Sequence, residues 1–153
     1  MSDLDFYNLY ETDKDKEKNG VPFLFADGML RITLARAGGG NTRFARILAA
    51  NSKPYKRAIQ NEQLSDEKAN DLMMKTYAEA VVMNWETEVK DENGAKAFKK
   101  GIFVKGQEGL QPVTLENIVA VFKLVPDLFS DIMAEASKLS NYISYQREED
   151  AKN

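Results

Sequence analysis

An α+β, helix-dominated fold, an N-terminal β-hairpin followed by about five α-helices, is what this chain predicts. Three observations lead there. Apolar residues alternate at period two only near the start, in "VPFLF" (residues 21–25) and "MLRITLARA" (residues 29–37). From residue 42 onward they recur at spacings of three and four, the signature of amphipathic helices. Hydrophobic residues make up 43% of the 153, which suits one domain around one core. The predicted organisation is a mobile acidic arm over residues 1–19, a single globular domain over 20–145 and a solvated tail over 146–153.

Taken in order, the arm carries an aromatic cluster (Phe6, Tyr7, Tyr10) and then a run of lysines and acids, with room for one helical turn. The hairpin strands flank Ala26-Asp27-Gly28, a turn signal at hairpin spacing. Leu30, Ile32 and Leu34 share one face of the second strand, and Pro22 indicates that the first lies at an edge or begins there. After Gly38-Gly39-Gly40, Asn41 or Thr42 is the expected cap of a helix whose apolar face is Phe44, Ile47 and Leu48. Pro54 breaks that helix, and "PYKRAIQNEQ" continues at a new angle. Ser65, followed by Asp66 and Glu67, opens the longest helix, expected to run to about Glu86 with Trp85 closing its apolar face. Order weakens from Thr87 to Gln111, where Asn93-Gly94 marks a turn and "GIFVK" reads as a short strand. Thr114 caps the next helix (Ile118, Val121, Phe122, Val125), and Pro126 starts the last one (Leu128, Phe129, Ile132, Met133, Ala136, Leu139).

Composition restricts the chemistry. With no cysteine there is no disulfide, thiolate nucleophile or thiolate metal site, and with no histidine the usual general base and the commonest transition-metal ligand are missing. The expectation is therefore a protein that is not an enzyme and holds no cofactor or metal. A magnesium-nuclease outline can be drawn through Asp71, Glu88 and Lys90, but residue types this common match by chance, and Asp71 falls early in the long helix. The N-terminus is acidic and polar rather than signal-like, and no stretch approaches the roughly 18 apolar residues of a membrane span, so a soluble cytoplasmic protein with no membrane partner is expected.

Charge is segregated. Between Met29 and Asn61 lie seven basic residues (Arg31, Arg36, Arg43, Arg46, Lys53, Lys56, Arg57) and no acid, while the rest of the chain carries a net charge of −10. Such a basic third can dock the chain's own acidic arm, an acidic protein partner or nucleic acid. Against nucleic acid stand the acidic balance of the domain and the lack of a base-stacking aromatic pattern. The glycine run fails both phosphate-binding motifs: no lysine follows it until Lys53, and position 43, where a dinucleotide fingerprint needs glycine, is arginine. A strand-to-helix corner is the reading that remains. Trp85, the single tryptophan, is either a core anchor or an interface hot spot. The partner-binding candidates are Arg36, Arg43, Arg46, Lys53, Tyr55, Lys56, Arg57 and Trp85.

The order of these pieces resembles a known family. The carriers are the Arg36–Gly38–Asn41 corner, "KPYKR" at 53–57, Ala78 through Trp85-Glu86, Gly94, Thr114–Asn117, "PDLF" at 126–129 and the closing Asn141-Tyr142 pair. Over about residues 20–143 the chain resembles the small tail-assembly-chaperone-like proteins of tailed bacteriophages, often labelled tail proteins. That resemblance implies a non-enzymatic protein in the host cytoplasm that binds the tape measure protein before the tail tube forms, with homo-oligomers and, in many such phages, a longer frameshifted product. The stretch from Gly94 to Pro112 and the acidic arm are both longer than that pattern. A virion tail or neck component, or a basic-patch nucleic-acid-binding phage protein, is the alternative.

Overall fold

The computed structural model describes residues 6–144. Two short helices, α1 (Phe6–Tyr10) and α2 (Lys14–Asn19), precede the hairpin β1 (Val21–Phe25) and β2 (Leu30–Leu34). The chain then runs through α3 (Thr42–Ser52), a 3-10 turn (Lys53–Tyr55), α4 (Lys56–Gln60) and α5 (Asp66–Ala80). It returns to the sheet as β3 (Val82–Lys90) and β4 (Lys96–Lys100), and closes with α6 (Leu115–Leu124), α7 (Pro126–Ser137) and a 3-10 turn (Leu139–Asn141).

The expected architecture, an N-terminal hairpin followed by about five helices, is overturned. The strands form one four-stranded antiparallel sheet in the order β1-β2-β3-β4. The long helix stops at Ala80, and the residues expected to continue it to Glu86 are strand. Val81 and Trp85 stand four apart and fit a helical face, which is why periodicity extends the helix through them. Yet Val81, Val82, Thr87 and Val89 are β-branched, and Trp85 lies directly opposite Ile32 of β2. Both partners are buried, so the cross-strand contact outweighs one more helical turn. Where Leu34 pairs with Val82 and Thr33 with Asn84, Met83 is left over as a bulge. The second hairpin turns where Asn93-Gly94 predicted: the Asp91 carboxylate accepts hydrogen bonds from the backbone N–H groups of Asn93 and Ala95 at 2.8 and 2.9 Å. The strand expected at "GIFVK" lies instead at Lys96–Lys100, and Ile102 makes an isolated bridge to Gln111.

One face of the sheet carries the core. Ile32, Leu34 and Trp85 meet Met74 and Tyr77 of α5, Ile118, Val121 and Phe122 of α6, and Phe129, Ile132 and Ala136 of α7. A relay of rings crosses it: Phe44 to Tyr77 at 5.5 Å, Tyr77 to Phe129 at 5.5 Å, Phe129 to Phe122 at 4.7 Å and Phe122 to Trp85 at 6.3 Å. Helix α3 has no fully buried residue and forms an outer layer on α5.

The acidic stretch is not a free arm throughout. Asp13 caps α2 by accepting from the N–H groups of Asp15 and Lys16, and Glu17 is completely buried. Thr12 bridges Ile143, Asp13 N–H donates to the Tyr142 carbonyl at 2.8 Å, and Ser144 N–H donates to the Glu11 carbonyl at 2.9 Å. Tyr142 is buried, and its hydroxyl donates to the Leu34 carbonyl at 3.0 Å. The two ends of the described chain are thus stitched together against β2. Residues 1–5 of the arm and the expected tail at 146–153 lie outside the described residues.

Candidate partner-binding trough

Seven cations entered the fold from one acid-free stretch, and the structure divides them. Arg31, on the outer face of β2, meets Glu86 of β3 at 2.8 Å and lies over the Phe98 ring at 4.3 Å. Arg36 donates to Glu17 Oε2 at 2.7 Å from a side chain that is only 21% exposed. Arg43 donates to the Lys18 carbonyl and to Asn41 Oδ1. These three are committed within the fold, and docking of the basic stretch onto the chain's own acidic segment accounts for Arg36 and Arg43.

The glycine corner belongs to this committed half. Gly38 and Gly39 have positive φ, the backbone freedom that a strand-to-helix corner needs. Gly40 N–H donates to Glu17 Oε2 at 2.9 Å, and a Cβ on either Gly39 or Gly40 would run into the Glu17 carboxylate. The corner does cradle an anion: the chain's own. Burial pushes the Glu17 carboxyl upward, but the Gly40 N–H, the Thr12 hydroxyl, the Arg36 guanidinium and the Lys14 ammonium outweigh it and hold the pKa at about 2. Asn41, expected to cap α3, makes no capping bond. It is buried, and its side-chain amide instead donates to the carbonyls of Arg36 and Ala80, both at 2.9 Å.

Four cations are left. Arg46, Lys53, Lys56 and Arg57 are exposed and make no ion pair among the described residues. They lie on α3, the 3-10 turn and α4, where Pro54 has ended the first helix and redirected the chain. The bend between the two helices opens a trough of about 450 Å³ lined by Ala49, Ala50, Ser52, Lys53, Lys56, Ile59 and Gln60. Its floor is apolar, and Ile59 is 43% exposed, an unusual place for an isoleucine. Tyr55 sits half-buried at the bend.

Sequence reasoning named the rim of this trough but missed its floor, because Ala49 and Ala50 lie off the Phe44-Ile47-Leu48 face by which α3 was read and Ile59 comes from α4. Glu17 was missed as the partner of Arg36, although Asp13 before "KDKEKN" and Gly20 after it are legible helix caps. Trp85 leaves the list of surface candidates: it is 1% exposed, on β3 rather than at a helix end. The nuclease outline also comes apart, with Asp71 on α5 facing Lys123 at 3.8 Å and Glu88 on β3 facing Lys96 at 3.9 Å.

Residues 39–153 match the family model of the YdaY prophage protein. The chain belongs to the YdaY prophage protein family. The match begins inside the glycine corner, so it takes in the whole trough, β3 and β4, and the closing helices, and leaves α1, α2, β1 and β2 outside. No curated protein and no solved structure matches the chain. The phage origin implied by the resemblance is thereby shown, as a prophage family and not as tail assembly chaperones in particular. Among the described residues no helix is long and apolar enough to cross a membrane.

Proposed function

We propose that this YdaY-family protein is a non-enzymatic assembly factor that binds other phage proteins in the host cytoplasm, in the manner of a tail assembly chaperone whose client is the tape measure protein. The observation that carries the reading is the α3–α4 trough, an apolar floor rimmed by Lys53 and Lys56, which make no ion pair among the described residues. A groove of that kind receives the apolar face of an amphipathic helix, and its charged rim selects a client whose flanking residues are acidic. An unpaired exposed lysine adds little to stability, which leaves Lys53 and Lys56 available for a partner. The resemblance to tail-assembly-chaperone-like proteins supports the choice of a long helical client.

Co-expression with the tape measure protein of the same prophage tests the proposal. The two copurify, and Ile59→Asp combined with Lys53→Glu and Lys56→Glu abolishes capture. Failure of the wild-type pair to associate, with the client soluble alone, overturns it. The unpaired cations also support a nucleic-acid reading, which the same variants separate. Retention on DNA that falls steeply with salt and is indifferent to Ile59→Asp would put nucleic acid in place of the protein client.

A further inference from the structure

The sheet and the helices on it are held by apolar packing, and the segment that precedes them is not. Across α1 and α2 no apolar side chain is buried: Phe6, Tyr7, Leu9 and Tyr10 are exposed, and residues 11–19 are all polar or charged. Glu17 is the one buried side chain between residues 6 and 19. Its Oε2 accepts from Arg36 Nη1 at 2.7 Å and from Gly40 N–H at 2.9 Å, and its Oε1 faces the Lys14 ammonium at 3.6 Å. Arg36 N–H donates to the Glu17 carbonyl at 2.9 Å, and Arg43 donates to the Lys18 carbonyl. Asp13 N–H and Ser144 N–H add the two bonds that tie the start of α2 to the end of the described chain. Gly20, with a φ of 97°, follows α2 and lies close against Thr33 and Leu34 of β2, which gives the segment a fixed root.

Buried apolar area is the main term that keeps a docked element in place, and elements with few buried apolar contacts open first in a native protein. A buried carboxylate behaves differently. It favours the docked state while its donors and its charge are intact, and it opposes that state once either is removed. The docking of α1 and α2 is therefore keyed to one ionised group. Behind that group stands a preformed cradle: Arg36, only 21% exposed, the Gly40 N–H, and two glycines at which any Cβ would run into the carboxylate.

We propose that α1 and α2 form a releasable latch, which swings away from Gly20 as one unit while the sheet and α3–α7 stay folded, and uncovers at the glycine corner a site for a carboxylate of another molecule. In the closed state Glu17 is the ligand of that site in cis. Tethering gives it a high effective concentration, so the closed state prevails until the Glu17 charge is lost or a competing carboxylate is abundant. Opening also frees Arg36 and Arg43 from Glu17 and Lys18, which adds two cations at the start of α3 to those near its end. The residues of the α3–α4 trough take no part in the latch.

Hydrogen–deuterium exchange of the full chain tests this, because four amides bond across the seam between the latch and the body: Asp13, Arg36, Gly40 and Ser144. In the wild type they exchange as one set, about tenfold or more faster than the neighbouring Ala37 N–H, which bonds to the Ala136 carbonyl within the body. Glu17→Gln, which keeps the shape and removes the charge, speeds the set by a further factor of about ten and leaves Ala37 unchanged. Glu17→Ala empties the cradle. Acetate then slows exchange at Gly40 and raises the melting temperature, chloride at equal ionic strength does neither, and Arg36→Met in the same background abolishes the acetate effect. Seam amides that exchange only together with Ala37, or a Glu17→Gln variant as protected as wild type, overturn the latch. An acetate response no larger than that of chloride overturns the carboxylate site.

Discussion

The glycine corner and the α3–α4 trough draw their cations from the same acid-free stretch and use them in opposite ways. At the corner Arg36 is largely buried, hydrogen-bonded to a fully buried carboxylate and closed in by glycines that admit no side chain. At the trough Lys53 and Lys56 stand in solvent beside exposed apolar surface, with no ion pair among the described residues. Charge composition therefore says little about role until the partner of each cation is known. A paired, buried cation holds the fold, and an unpaired one beside an apolar floor is free for another molecule.

Removing the buried partner makes the sharpest test of that contrast. Glu17→Ala leaves Arg36 and the Gly40 N–H uncompensated and lowers unfolding free energy by about 3 kcal/mol in chemical denaturation. The same interaction is visible along the pH axis. The Glu17 carboxyl is held at about 2, below its ordinary 4.5, so the stability it contributes is whole above pH 4.5 and is lost as pH falls toward 2. Glu17→Gln flattens that part of an acid-unfolding curve. Gly40→Ala, which forces Glu17 aside, costs about 1–3 kcal/mol by thermal melting. Arg31→Ala, on a partly exposed pair, costs about 1 kcal/mol or less. At the trough the smallest stability effect accompanies the largest binding effect: Lys53→Glu with Lys56→Glu shifts unfolding by under about 0.5 kcal/mol, yet weakens client capture at least tenfold. A trough variant as destabilised as Glu17→Ala would erase the distinction between the two regions.

Much of this was legible beforehand. The first hairpin, the breaks at Pro54 and Pro126, the Ser65 and Thr114 caps and the five helices from α3 to α7 follow from period, proline and capping chemistry, which act within a few residues. The rim of the trough was legible too, since Lys53 and Lys56 are conspicuous. Its floor was not, because alanines and a single isoleucine carry weak periodic signal until a bend brings them side by side. The burial of Trp85 opposite Ile32 was likewise invisible, since only the packed structure reveals which distant residues meet.

By itself the amino-acid order determined the local pieces, the segregation of charge and the lack of thiol and imidazole chemistry, because those depend on near neighbours and on composition. Tertiary structure alone decided that residues 82–90 are strand, that Glu17 fills the glycine corner, and that four of seven cations make no ion pair among the described residues. Each of those outcomes rests on a contact between residues far apart in the chain, Trp85 with Ile32 and Glu17 with Arg36 and Gly40, and helical or strand periodicity records nothing about such distant pairs.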